Sequence, residues 1–176
     1  MSESPDHSSA DAGVLNSARL TEIFSPARIR TASKASTLKR MFEEMAGLLT
    51  RNSPHPLDQD TVFRALLARE QIGSTWIADG VAIPHCRLES LTESLGVILR
   101  MQTPLCVDSG EGKYVSVACG LLVPRESASS HLKVLSRLAQ AFLEYGMYSK
   151  FMQAADSEEM YGILSNIESE VDTARS

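Results

Sequence analysis

The sequence predicts an α/β fold, a mixed β-sheet sandwiched between helices on both faces, and three observations carry that expectation. Val115 to Val123 is almost continuously apolar, the pattern of a strand covered on both sides. Apolar residues recur at helical spacing before and after it. Helices and strands follow no strict βαβ alternation, so the sheet is expected to be mixed.

The elements are read in chain order. Met1 to about Gly13 is rich in Ser, Asp and Glu with no periodic apolar face, so a disordered tail is expected over 1–13, one domain over 14–168 and a flexible C-terminus over 169–176. Leu38, Met41, Phe42, Met45, Leu48 and Leu49 make one helix face, entered through Ser33 to Ser36, which offer capping hydroxyls. A second helix begins near Asp58 and buries Val62, Phe63, Leu66 and Leu67. Val81 to Ile83 reads as a strand that ends as His85 arrives, because Pro84 fixes its own φ and holds Ile83 extended. Leu95, Val97, Leu99 and Met101 alternate as a strand that Pro104 closes. Asp108 to Lys113, with Gly110 and Gly112, is the turn into the next strand and lacks the G-x-G-x-x-G spacing of a nucleotide cradle. Leu132, Leu135, Leu138, Ala139 and Phe142 form another helix face. Met160, Ile163, Leu164 and Ile167 form a last one, opened by an Asp156 and Glu159 capping box.

Composition excludes several function classes. A formal net charge of −5 supplies no field that would draw the chain to nucleic acid or an anionic membrane, and neither is expected as a partner. Arg28, Arg30, Lys34, Lys39 and Arg40 are a local basic cluster, expected to be a solvated face, with a docking surface for a partner as the alternative. The three cysteines, Cys86, Cys106 and Cys119, have no C-x-x-C spacing, which argues against a disulfide framework or a zinc site and suits a reducing cytoplasm. No apolar run is long enough to span a membrane, and no signal peptide is evident, so a cytoplasmic location is expected. No metal and no cofactor is expected.

Residues Gly73 to Arg87 carry the chemistry. Neutral imidazole leaves one ring nitrogen free as a nucleophile, and phosphoryl transfer needs donors around the group being moved. His85 is the candidate nucleophile. Arg69, near the end of the second helix, has a guanidinium suited to phosphate; Ser74 and Thr75 add hydroxyls, and Gly73 permits close backbone approach. His131 follows Ser129 and Ser130 at the start of a helix, where a neutral donor to an anion is favoured over a cation. Taken singly, each has an ordinary structural explanation: a strand end, a helix C-terminus, a turn, a cap. A Cys86 and His85 pair is poorly placed for hydrolysis, since consecutive residues of an extended chain point to opposite faces.

The runs Gly73-Ser74-Thr75 and Gly80-Val81-Ala82-Ile83-Pro84-His85, with Arg69-Glu70 upstream and Leu121 to Pro124 followed by His131-Leu132 downstream, resemble the type 2 IIA proteins of the bacterial phosphotransferase system, most of all their nitrogen-regulatory branch. The resemblance runs from about Leu15 to about Ile167. It implies a phosphocarrier in which a small histidine phosphocarrier protein donates a phosphoryl group to His85, on Nε2, with Arg69 and His131 supporting it and Ser74 and Thr75 lining the pocket. It also implies regulated targets such as a transporter or a sensor kinase, with the phosphorylation state as the signal. Trp76 stands where the family has glycine, Ala78-Asp79 where Gly-Asn is common, and Cys86 where glycine follows the active histidine; side chains there are expected to narrow the pocket or to reshape the surface that meets the donor. The alternatives are a sugar-specific IIA component that passes the group to a IIB domain, and a binding scaffold that is never phosphorylated.

Overall fold

Two sets of apolar side chains, one on each face of a single sheet, organise the molecule. The computed structural model describes residues 19–126 and 128–176; the tail expected over 1–13 lies outside them. The helices are α1 (Leu20–Ile23), α2 (Leu38–Arg51), α3 (Gln59–Ile72), α4 (Ala128–Glu144), α5 (Met147–Gln153) and α6 (Ser157–Ala174). The strands are β1 (Ile29–Ser33), β2 (Trp76–Ala78), β3 (Gly80–Ala82), β4 (His85–Leu88), β5 (Leu95–Asp108) and β6 (Lys113–Pro124).

The strands form one six-stranded sheet in the order β1-β5-β6-β3-β2, with β4 also paired to β6. β1 runs parallel to β5, β5 antiparallel to β6, and β3 and β4 both parallel to β6, so the sheet is mixed as expected. Along β6, Cys119 and Leu121 face the side covered by α1, α4, α5 and α6, whereas Ala118 and Leu122 face α2 and α3. Helices therefore cover both faces, and β6 is buried from Val115 to Pro124, apolar there but for Ser116, because neither face of that stretch meets water.

Local chemistry sets the element ends. The Thr37 hydroxyl, not Ser33 to Ser36, caps α2 by accepting from Arg40 N at 3.1 Å. Asp58 caps α3, accepting from Thr61 N at 2.9 Å. Asp156 caps α6 by accepting from Glu159 N at 2.8 Å, and Glu159 reaches back to Ala155 N at 2.9 Å, one residue earlier than a standard capping box. Gly96 gives the core room, since a Cβ there would sit 2.3 Å from the Phe24 ring.

Several expectations change. The strand before His85 does not end there: it breaks at Ile83 and Pro84 and resumes at His85 as β4, because β6 continues alongside and offers a ladder to both halves. Pro104 does not close β5, which runs on to Asp108; the register shifts between Arg100 and Leu105, leaving the proline where no ladder donor is required. The buried face of α4 is His131, Val134, Leu138, Ala141 and Phe142, and Leu132 is 67% exposed. Past 169 the chain is still helical, α6 running to Ala174 with Val171 in the core and Asp172 paired with Arg137 at 2.9 Å. The basic cluster is not one solvated face: Arg28 is buried, and Arg30 pairs with Glu44 at 3.0 Å. No helix of the described residues is long and apolar enough to cross a membrane.

Candidate functional site

Strand alternation aims the nucleophile. In β4, Cys86 and Leu88 are buried on the α2 and α3 side, so His85 and Arg87 project to the opposite face. There the His85 ring meets the ring of His131, on the first turns of α4, with centroids 5.2 Å apart and planes tilted by 52°. The two histidines predicted from distant parts of the sequence are thus brought together.

His85 Nδ1 lies 2.7 Å from Ile83 O. A carbonyl oxygen can only accept, so Nδ1 carries the proton and Nε2 of the neutral ring holds the free lone pair. The fold supports that acceptor through a relay. Ile83 N donates to Thr75 O at 3.0 Å, and Thr75 is fixed to α3 by its N–H and hydroxyl, which donate to the two oxygens of Glu70 at 3.2 and 2.7 Å. Thr75 is buried, with its hydroxyl proton committed to Glu70, so it serves to hold the segment.

The other predicted residues lie at the rim. Arg69 Nη1 donates to Gly73 O at 3.0 Å, closing the end of α3, and its charge is felt at both histidines. Gly73 is exposed, with extended backbone at φ 179°. Ser74 is exposed, and its oxygen accepts from Trp76 N at 3.2 Å, which leaves the hydroxyl proton free.

Trp76 and Cys86 do not narrow this pocket. Cys86 is buried among the residues facing α2 and α3, and Trp76 packs against that same group, with its indole N–H donating to Tyr114 O at 3.3 Å. Burial pushes the Cys86 thiol up to about 12, so it is no thiolate nucleophile. Among the described residues no group of three or more His, Cys, Asp or Glu could hold a metal ion. Sequence reasoning missed Arg87. The signal was available, since a residue two positions after His85 in an extended chain shares its face.

Both imidazoles titrate below the ordinary histidine range, chiefly because burial disfavours their charged forms. For His131 the neighbouring His85, Arg87 and Arg69 add to this, and the value falls to about 4. For His85 the bond to Ile83 opposes burial, Arg69 lowers and Glu70 raises. Between the ordinary histidine value of 6.5 and about 4, the unfolded chain binds more protons at His131 than the folded one. Stability from this group is therefore full above the upper value and lost as the pH falls toward the lower one. The urea midpoint is expected to drop between pH 7 and pH 5, and to drop less in His131→Gln; equal drops in the two proteins would show that His131 does not couple to folding.

A family model described as the phosphoenolpyruvate-dependent sugar phosphotransferase system EIIA 2 domain matches residues 22–167. The nitrogen regulatory protein of Pseudomonas aeruginosa is 31% identical over 150 residues, covering 85% of this chain and 97% of that protein. The nitrogen regulatory protein of Escherichia coli K12 is 31% identical over 157 residues, covering 89% and 95%. Among solved structures, nitrogen regulatory protein IIA-Ntr from Neisseria meningitidis is similar with a TM-score of 0.75 at 38% identity, covering 82% of this chain and 97% of that one. The mannitol IIA protein of Escherichia coli shares the fold, with a TM-score of 0.67 at 17% identity and coverage of 80% and 97%.

Proposed function

The chain belongs to the type 2 EIIA family of the phosphotransferase system, in its nitrogen-regulatory branch, and from that premise we propose that it is a regulatory phosphocarrier with His85 as the phosphoryl acceptor. The observation that carries the proposal is the bond from His85 Nδ1 to Ile83 O, which leaves Nε2 nucleophilic beside His131.

The step balances without an added proton carrier. The lone pair of His85 Nε2 attacks phosphorus as the bond from phosphorus to the nitrogen of the donor's phosphohistidine breaks, and that electron pair returns to the donor's imidazole. The His85 proton stays on Nδ1 throughout, donated to Ile83 O. Transfer of this kind depends on positioning and charge neutralisation, the work of Arg69 and His131, with the free Ser74 hydroxyl as an added donor. The donor is a small histidine phosphocarrier protein. The group adds about 1.5 to 2 negative charges at the pocket mouth, enough to disfavour one protein interface and favour another, and in this way target proteins are controlled.

The experiment is to incubate the chain with phosphoenolpyruvate and the two upstream phosphotransferase proteins and to measure intact mass. The expected result is one acid-labile phosphoryl group, absent in His85→Ala. No gain with a donor that charges another IIA protein would leave the unphosphorylated scaffold as the reading. Passage of the group to a sugar-specific IIB domain, with no effect on any regulated target, would favour the transport reading.

A further inference from the structure

We propose that Arg87 is a second phosphoryl-binding arginine, its guanidinium closing on the oxygens of the group held by His85 from the β4 side while Arg69 serves the α3 side. The proposal rests on the phosphocarrier reading of His85 and adds a residue to it. Three observations point there.

The first is placement. His85 and Arg87 are the first and third residues of β4, paired with Leu121 and Val123 of β6, and all four lie on the face that meets α4. Residues two apart on a strand stand about 6.5–7 Å apart, a distance an arginine side chain spans to bring its head over its neighbour. The second is availability. Arg87 is exposed, and among the described residues it makes no ion pair and no side-chain hydrogen bond, whereas Arg30, Arg64, Arg125 and Arg137 all pair with carboxylates. The third is that its charge already reaches the site, since Arg87 helps to keep His131 neutral.

Charge balance explains why one arginine is not enough. Arg69 spends one of its nitrogens on Gly73 O, and His131 is neutral near pH 7, so the arriving group meets little positive charge from those two. An unpaired guanidinium offers two parallel donors to phosphate oxygens. Once the group is in place it screens Arg87 from His131, and His131 becomes a better donor.

Two phosphoryl donors separate contact with the group from contact with a partner. One is the small phosphocarrier protein charged by phosphoenolpyruvate. The other is phosphoramidate, in which His85 Nε2 displaces ammonia and the bond from phosphorus to the ammonia nitrogen breaks with its electron pair leaving on ammonia. In the full chain, Arg87→Ala is expected to slow labelling of His85 at least about tenfold with both donors, with Arg87→Lys recovering part of the rate. The His131 ring, followed by NMR, is expected to titrate higher in Arg87→Ala, which also shows that the variant is folded. Slowing with the protein donor alone would make Arg87 a docking contact and overturn the proposal. Unchanged rates with both donors, in a wild type that is labelled, would overturn Arg87's role alone. A wild type labelled by neither donor would overturn the phosphocarrier reading and this one with it.

Discussion

His131→Ala is expected to accept a phosphoryl group on His85 roughly 100-fold more slowly than the parent chain, the loss typical of removing one preorganised donor from a transfer site. The effect is large because His131 is buried and its ring lies 5.2 Å from that of His85. Its Nδ1 is buried without a hydrogen-bond partner among the described residues. An orphaned lone pair costs less than an orphaned N–H, so the ring proton belongs on Nε2, making His131 a neutral donor. The two imidazoles are then complementary, one with a free lone pair and the other with a proton to give. A phosphoryl group on His85 favours a protonated His131, so its removal is also expected to change how long the group is retained. Rapid mixing followed by intact mass at intervals gives both rates, and His131→Gln, which keeps an N–H donor, is expected to recover part of the loss. Unchanged acceptance and loss in His131→Ala would sink the donor role.

The sequence made His85, Arg69 and His131 legible only as a set of candidates, because each local pattern alone reads as a strand end, a helix end or a cap and the family resemblance is what joins the three. The layered fold was legible, since the apolar run of β6 reports cover on both faces. What it hid depends on which way a strand faces and on what pairs with it. Trp76 and Cys86 read as intrusions on the pocket because they stand where the family has glycine, yet both pack on the α2 and α3 side. Alternation placed Arg87 beside His85, but its relevance shows only once α4 brings His131 to that face. The same limit applied to α4, where Leu132 matched the helical period one position away from the true buried face. A period fixes a stripe only to within a neighbouring residue when both candidates are apolar. The Thr75 bond to Glu70 could not be foreseen either, because a hydroxyl beside a glycine serves a turn or an anion equally well until its partner is known.

Arg28→Met is expected to lower stability by about 3–5 kcal/mol and the melting temperature by roughly 10 °C, while leaving phosphorylation of the folded chain intact. Arginine in a short basic stretch reads as surface, but Arg28 is buried, with burial lowering its pKa. It donates from Nε to Gly96 O at 2.9 Å, from Nη1 to Asn52 O at 2.8 Å and from Nη2 to Ile23 O at 3.0 Å. Those carbonyls lie in β5, just past the end of α2 and at the end of α1, so one guanidinium joins three elements. Methionine fills much of the same space and leaves all three acceptors without a donor. Each buried orphan costs about 1–3 kcal/mol, and the Asn52 carbonyl, being less buried, stays near the lower end through contact with water. Arg28→Lys offers one compact ammonium in place of a planar fork and is expected to recover only a minor share. Urea unfolding gives the stability and intact mass gives the phosphoryl occupancy of the folded fraction. A stability loss below about 1 kcal/mol would show that water or chain relaxation satisfies the carbonyls. Equal loss of stability and of phosphoryl acceptance, measured where the variant is fully folded, would tie Arg28 to the site itself, a link its hydrogen bonds give no reason to expect.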